Sequence, residues 1–374
     1  MKNYVYKIYF LVLIAVVVFS YGFVDINFPY QSLDFLHSLV YEQRVLSTTI
    51  YVGIIMSMFV IYALLLSKAK KINSSTVWKL VWLSAGILLL AYPAFSNDIF
   101  NYIATAKVTY LYGENPYLVM PIEIENEPML MFMHAANKFA LYGLSWITLS
   151  AIPHFLGLNN LLLTMLTFKL FIAAFYIGLC LVIWRLSSKN KYSLIFFALN
   201  PLVLLETFVG VHNDVVAMFF ALLSYYLLQK KRLFLSLLIL VISIFIKYAT
   251  MFLLPVYIFA FVLNLKKESI NWDRIWSWSA ISMFAIFMLS PLREEMYSWY
   301  FIWPISFIAL LNFKKRSIGL VTTVFSFGLL LRFVPFIYTR EWGGITPLVK
   351  TLVTLVPPII ALIYTYLRNA VKKT

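Results

Sequence analysis

Long apolar segments separated by short polar ones recur along the whole chain. Segments of about 17 to 25 residues, the length of a membrane-spanning helix, occur at roughly 8–24, 47–67, 77–95, 160–184, 191–209, 213–229, 274–290, 297–313, 317–338 and 344–366. The apolar stretch 233–265 is longer than one span needs, and Lys247 near its middle predicts two helices with this lysine at the tip of a hairpin. The pattern predicts an all-α, polytopic transmembrane protein of about 12 spans.

The composition supports a membrane protein. Of the 374 residues, 63% are hydrophobic and only 12% are charged, whereas a soluble domain is typically about half apolar and about a quarter charged. A lipid bilayer is therefore an expected partner. The net charge of +15 does not indicate nucleic acid, because the basic residues form small clusters between apolar segments instead of one exposed patch. The single cysteine, Cys180, excludes a disulfide framework and a cysteine-based metal site.

The basic clusters predict the topology. Of the 30 lysines and arginines, 21 fall on one side of the predicted bundle: Lys2, Lys7, Lys68, Lys70, Lys71, Lys79, Arg185, Lys189, Lys191, Lys230, Lys231, Arg232, Lys266, Lys267, Arg274, Lys314, Lys315, Arg316, Arg368, Lys372 and Lys373. Short cytoplasmic loops are enriched in Lys and Arg, so both termini are expected in the cytoplasm of a multi-pass cell-membrane protein. An uncleaved first span is expected, with cleavage near Ser20 to Gly22 as the alternative.

Residues 96–159 form the longest stretch between confident spans. Within them "ALYGLSWITLSAIPHFLG" is apolar but short and contains Pro153. Counting this stretch as a span would place the Arg185 to Lys191 cluster outside, so residues 141–157 are predicted to be a re-entrant or interfacial helix.

This predicted outer loop begins with "SNDIFNYIATAKVTYLYGENPYLVMP". Asp98 comes directly after an apolar span and at the start of a short helical pattern, which Gly113 and Asn115-Pro116 end. Asp98 could simply cap that helix, since Asp is a favoured N-cap residue. The alternative is a carboxylate presented for chemistry at the membrane surface.

A second polar group interrupts the apolar sequence "LNPLVLLETFVGVHNDVVAMFF" at Glu206, His212, Asn213 and Asp214. A charged group at the bilayer centre costs roughly 2.5 to 3.5 kcal/mol on insertion scales. The predicted topology instead places these residues at the outer end of the 191–209 helix and in the turn after it. Asn213 and Asp214 could merely turn and cap the next helix, but His212 is predicted to face the same cavity as Asp98.

Four motifs in order resemble the membrane glycosyltransferases of the GT-C fold. They are the Asp-Ile-Phe element leading to "GENPY", "NPLVLLETFVGVHND", the lysine in "SIFIKYATMFLLP", and "MYSWYFIWPI". The chain most resembles polyprenol-phosphate-mannose-dependent mannosyltransferases and glycosyltransferase family 87, over about residues 77–310. The resemblance implies one integral membrane domain over 1–374, with an added helix pair at 1–76, a catalytic module at 77–313 that contains the outer loop 96–159, and C-terminal helices at 314–374.

The resemblance also implies a reaction: transfer of a hexose, expected to be mannose, from a polyprenyl-phosphate donor to a glycan or glycolipid on the extracytoplasmic face. Asp98 is then expected to be the general base. Lys247 is the expected donor-phosphate contact, with Arg293, Arg332 or Arg340 as helpers. Trp299 and Tyr300 would stack on sugar or lipid, although interfacial aromatic belts also enrich such residues. The other expected binding residues are Asn97, Tyr102, Lys107, Asn115, Tyr117, His212, Asn213 and Asp214.

No cofactor or metal is predicted. The sequences "REE" at 293–295 and "EIENE" at 123–127 supply carboxylates without a recognisable ligand spacing, so a divalent cation is left open but not favoured. If the catalytic loop were instead residues 25–46, the base would be Asp25, Asp34 or Glu42, but that loop lacks the Asn-Pro-Tyr sequel.

Two other functions fit an outward polar loop. A secondary transporter or lipid flippase should show paired inverted repeats, and the long polar loop occurs once. A surface-glycan polymerase or ligase would also use a large outer loop and a lipid-linked substrate.

Overall fold

A computed structural model describes residues 3–25, 28, 33–132, 135–312 and 316–371, and all regular elements in these residues are helical. The basic residues Lys2, Lys314, Lys315, Lys372 and Lys373, which contribute to the topology prediction, lie outside the described residues. So does the predicted module boundary at 313–314.

The α-helices of the first half are α1 Asn3–Ser20, α2 Asp34–Tyr41, α3 Arg44–Ser67, α4 Ser74–Leu88, α5 Asp98–Tyr110, α6 Leu144–Leu156, α7 Leu161–Leu186, α8 Lys191–Ala198 and α9 Pro201–Phe208. Those of the second half are α10 Asp214–Gln229, α11 Leu233–Ile246, α12 Leu254–Leu265, α13 Trp272–Leu289, α14 Ile302–Ile308, α15 Arg316–Leu330, α16 Phe333–Thr339 and α17 Thr346–Val371. Short 3-10 helices at Tyr248–Leu253 and Ser298–Phe301 join neighbouring elements.

Within the described residues, seven helical segments are long and apolar enough to cross a membrane, and the bent pair of α8 and α9 gives an eighth. The chain is therefore a multi-pass membrane protein. The expected count of about 12 spans is not confirmed, since α6, α10 and α11 are apolar but only 13, 16 and 14 residues long, below the length that normally spans a bilayer. The interfacial or re-entrant placement of α6 stays a prediction.

The expected continuous helix over 191–209 is wrong, because it breaks at Leu199–Asn200 and bends by 49°. Pro201 has no N–H to donate, and its ring clashes with the preceding turn of a helix. The Asn200 side chain accepts a hydrogen bond from the Leu202 N–H at 3.0 Å and so caps a new helix. α9 is therefore oriented independently of α8, and its C-terminal end carries Glu206.

The outward-facing side chains are largely apolar, whereas polar side chains pair between helices in the interior. Tyr9 and Ser84 share a hydrogen bond of 2.7 Å, and Tyr257 donates to Ser236 at 2.7 Å. Side-chain hydrogen bonds of this kind join helices inside a bilayer. Lys169 of α7 is buried and donates to the Ala91 carbonyl, which fixes the segment that leads from α4 to Asp98.

The helix ends gather into two groups. The turn after α9, the break at Lys247 and the segment 293–300 meet the start of α5 at one end of the bundle. At the other end of the α8 and α9 pair, the Lys191 ammonium donates to the carbonyls of Lys70, at 3.0 Å, and Ile72, at 2.6 Å. The turns that the sequence predicts to be outside thus lie together. They lie away from two of the loops predicted to be inside, those that contain Lys70 and Lys191.

Candidate active site

Asp98, His212 and Glu206 form a linear cluster of ionisable groups. His212 Nδ1 lies 3.1 Å from Asp98 Oδ2, and His212 Nε2 lies 3.3 Å from Glu206 Oε2. The His212 side chain is fully buried, that of Glu206 is 3% exposed, and that of Asp98 is 27% exposed. Asp98 is therefore the member of the cluster that a substrate can reach.

The local structure at Asp98 leaves its carboxylate free for this cluster. α5 begins at Asp98, as the sequence predicts, and the Asp98 N–H donates to Ser96 Oγ at 3.1 Å. The side chain of Asn97, directly before the helix, makes no capping bond. A capping role alone therefore does not explain Asp98, because its carboxylate pairs with a histidine 114 residues away.

A tight turn after α9 places His212 against Glu206. The Gly210 N–H donates to the Leu205 carbonyl at 2.8 Å, and the His212 N–H donates to the Glu206 carbonyl at 3.0 Å. Val211 has a left-handed φ of 57°, which is rare and strained for a β-branched residue. A Cβ atom on Gly210 would lie 2.6 Å from His212 Cδ2 and 3.0 Å from Glu206 Oε2. The turn therefore requires glycine at 210 for the two side chains to meet.

Asp98 and His212 are both charged at neutral pH. Burial alone would lower the pKa of His212, but the hydrogen bonds and charges of Asp98 and Glu206 raise it to about 9. Burial would likewise raise the pKa of Asp98, but the hydrogen bond and charge of His212, together with Lys247, hold it below the usual value. Asp98 is thus an ionised carboxylate held by an imidazolium.

Asp214 and Lys247 form a second polar pair beside this cluster. Asp214 Oδ1 accepts from Trp303 Nε1 at 2.6 Å, and its Oδ2 lies 3.3 Å from Lys247 Nζ. Lys247 Nζ also lies 5.1 Å from the centre of the Tyr300 ring, a cation-π distance. Lys247 is therefore already matched by one negative charge.

Asn213 lies directly before α10, but its side chain does not cap the helix. Its backbone N–H donates to the Tyr102 hydroxyl at 3.2 Å. Its side-chain amide nitrogen and oxygen are fully buried, and neither has a hydrogen-bond partner in the part of the chain that the structure describes. Such orphaned polar atoms are rare in native proteins and call for an explanation, and a bound polar ligand would supply one.

Stacked aromatic rings from residues 297–303 line this site. Trp299 stacks on His212 with ring centres 3.9 Å apart, and Tyr297 stacks on Trp299 at 4.3 Å. Tyr300 stacks on Trp303 at 4.5 Å. The sequence predicted Trp299 and Tyr300 but gave no role to Tyr297 or Trp303, although both stand in the quoted motif. No role is predicted for Glu206 either, although it stands close to His212 in the sequence, with Gly210 between them.

Several predicted binding residues contact other parts of the chain. Lys107 lies near the opposite end of α5 from Asp98 and pairs with Glu127 at 2.6 Å. The Asn115 side chain accepts from the Tyr117 N–H at 3.0 Å, and the Tyr117 hydroxyl donates to the Tyr142 carbonyl at 2.9 Å. These three residues shape the loop, and their contact with substrate stays a prediction.

The predicted helper arginines are separated in space. The side chain of Arg293 is 85% exposed and lies 3.8 Å from Glu294. Arg340 packs on Tyr41, with the guanidinium 4.9 Å from the ring centre. Arg332 is buried and pairs with Glu295. In the described ranges, no group of three His, Cys, Asp or Glu side chains has the arrangement of a metal site, and metal independence stays a prediction.

Residues 8–263 match the model of the MptA_B family, described as alpha-(1->6)-mannopyranosyltransferase, N-terminal domain. This range covers more than half of the chain and contains Asp98, Glu206, His212 and Lys247, but not the aromatic residues 297–303. No curated protein and no solved structure matches the chain.

Proposed function

The chain belongs to the MptA_B family of alpha-(1->6)-mannopyranosyltransferases, and we propose that it transfers a mannosyl group from a polyprenyl-phosphate donor to a hydroxyl of a glycan or glycolipid. Membership confirms the glycosyltransferase class that the motif order predicted. The observation that carries the proposal is the partly exposed Asp98 carboxylate held by the buried His212. A transporter, flippase or glycan ligase has no comparable support.

In the proposed reaction, the acceptor hydroxyl approaches Asp98 and attacks the anomeric carbon of the donor sugar. The bond between that carbon and the phosphate oxygen breaks, its electron pair leaves with the phosphate, and the acceptor proton passes to Asp98. His212 fixes the orientation of the carboxylate through Nδ1, and Glu206 Oε2 lies 3.3 Å from the other ring nitrogen. His212 and Tyr297 cover the two faces of Trp299, so Tyr297 is the ring of this stack on which a sugar would pack.

The proposed reaction takes place on the extracytoplasmic side, with both termini in the cytoplasm. The positive-inside rule supports this orientation, because the turns around Asp98, His212 and Lys247 belong to the predicted outer side and lie together. A phosphate at the outer surface with its polyprenyl chain in the bilayer could then reach this end of the bundle.

Asp98→Asn tests the proposal in purified protein reconstituted with mannosyl phosphoryl polyprenol and a panel of acceptors. Loss of a general base costs about 10²- to 10⁴-fold in rate, so transfer should fall by at least about 100-fold while donor binding persists. Asp34→Asn is the matched control, since Asp34 is exposed at the start of α2 and is one of the three alternative acids in the loop 25–46. Full activity of Asp98→Asn, or equal loss in Asp34→Asn, would contradict the proposed base.

A further inference from the structure

Two buried cations share one carboxylate at the junction of α15 and α17. Arg332 Nη2 lies 2.5 Å from Glu295 Oε1, and Lys350 Nζ contacts the same oxygen. The side chains of Arg332 and Lys350 are only 10% and 11% exposed, whereas that of Glu295 is 39% exposed. In the described residues, Glu295 is the one carboxylate within ion-pair distance of either cation.

The other groups at this junction do not neutralise the second charge. Arg332 Nη1 donates to Thr354 Oγ1 at 3.2 Å, and Lys350 Nζ lies 5.0 Å from the Trp342 ring centre. Glu294 accepts from the Tyr300 hydroxyl at 3.2 Å instead. The group therefore carries a net charge of about +1 in a largely buried setting, which is costly unless a ligand or function requires it.

This cation pair is connected to the candidate active site through Tyr297. Tyr297 follows Glu295 by two residues and stacks on Trp299, which stacks on His212. Burial, followed by the charges of Glu294, Glu295 and Asp98, raises the pKa of the Tyr297 hydroxyl, while Arg332 opposes the rise. One hydroxyl thus lies within electrostatic reach of both Asp98 and Arg332.

The exposed side of α17 continues this site with an apolar surface. Lys350 and Thr354 point inward, whereas Leu348 and Leu352, on the other face of the same turns, are 60% and 49% exposed. A positive site next to such a surface fits a phosphate that carries a long hydrocarbon chain better than it fits free phosphate.

We propose that Arg332 and Lys350 bind the phosphate of the polyprenyl-phosphate donor, and that Glu295 is an internal anion which this phosphate displaces. Arg332 offers the planar pair of N–H donors that suits a phosphate. Lys247 is a weaker candidate for this role, because Asp214 already matches its charge. The proposal rests on the proposed function and names the donor-phosphate site within it.

The test measures binding of polyprenyl phosphate, without sugar, to the purified full chain in nanodiscs. Arg332→Gln and Lys350→Gln should each weaken binding by about ten-fold or more, as expected for loss of a hydrogen bond to a charged group. Glu295→Gln should tighten binding several-fold, because it removes the competing anion. Arg293→Gln is the matched control, since Arg293 is in the same segment but highly exposed, and should bind as the wild type does. Polyprenol without phosphate should bind all variants equally.

Glu295→Gln separates a binding site from a structural ion cluster, because a structural role predicts weaker binding and a lower unfolding temperature for all three variants. Weaker binding by Glu295→Gln, or unchanged binding by both cation variants, would overturn the proposal. Competition by inorganic phosphate at the same concentration as the lipid would overturn the lipid assignment.

The two proposals can fail separately. If Asp98-dependent transfer persists with an unchanged donor KM in Arg332→Gln and Lys350→Gln, the phosphate site is wrong and the proposed function stands. If no sugar is transferred by the wild type, while polyprenyl phosphate still binds through Arg332 and Lys350, the site stands and the proposed function is wrong.

Discussion

Gly210→Ala should uncouple His212 from Glu206 with little effect on the rest of the fold. The added Cβ would lie 2.6 Å from His212 Cδ2 and 2.8 Å from His212 Nε2, whereas ordinary van der Waals contact begins near 3.4 Å. The imidazole must therefore retreat by about 1 Å, since the strained turn at Val211 leaves the backbone little freedom. Because a displacement of about 1 Å can cost about 100-fold in rate, transfer should fall by one to two orders of magnitude.

The assay is mannosyl transfer in reconstituted vesicles, with thermal unfolding measured on the same preparation. Gly53→Ala and Gly86→Ala are the matched controls, because a Cβ on either residue meets no atom within 4 Å. In these helix interiors, alanine should be neutral or stabilise by up to about 1 kcal/mol. The reasoning is refuted if Gly210→Ala transfers mannose as fast as the two controls, or if it fails only by losing its folded state.

Two further predictions concern buried ion pairs, one in the site and one away from it. The pKa of His212 is raised to about 9 in the folded chain, so its ion pairs stabilise the protein fully below about pH 6.5, and this contribution, on the order of 3 kcal/mol, is lost as the pH rises through 9. The wild type should therefore show a fall in unfolding temperature between pH 7 and 10 that is smaller in His212→Gln. An equal fall in both proteins would contradict this prediction. Lys107→Met should lower the unfolding temperature, because the buried carboxylate of Glu127 loses its ion pair. If Lys107 has only this structural role, the donor KM should stay unchanged. A raised donor KM would instead support the predicted contact between Lys107 and substrate.

Local signals in the sequence were sufficient for most helices but not for their breaks. Runs of apolar residues mark segments that are buried in the protein or face lipid. Lys247 interrupts one such run at the position where α11 ends in the structure. The break at Asn200 was missed because apolar residues continue on both sides of it, so hydrophobicity alone does not report the missing N–H of Pro201. The predicted number of spans is not confirmed for a related reason, because apolar character does not determine the length of each helix.

The sequence predicts that Asp98 and His212 face one cavity, but not the direct contacts of His212 with Asp98 and Glu206. Asp98 and His212 each stand out as polar residues at the end of an apolar run, yet they are 114 residues apart. They meet because α5 packs on α7, which in turn packs against α9 and α10. The sequence does not mark Lys350 as a site residue, because a lone lysine in a long apolar helix resembles one whose side chain extends to the membrane interface. Its pairing with Glu295 depends on how α17 is rotated about its axis, which no local pattern specifies.

The arrangement of charges also explains why the base and the proposed phosphate site are separated by aromatic rings. Asp98 already pairs with His212, and direct contact with Arg332 or Lys350 as well would lower its pKa further and reduce its ability to accept a proton. Trp299 of the aromatic stack contacts His212, and Tyr297 lies two residues from Glu295. The donor phosphate and the acceptor hydroxyl would then meet opposite charges at opposite sides of the same sugar. Nucleophilic displacement at the anomeric carbon requires this separation, because the bond to the incoming oxygen forms while the bond to the departing phosphate breaks.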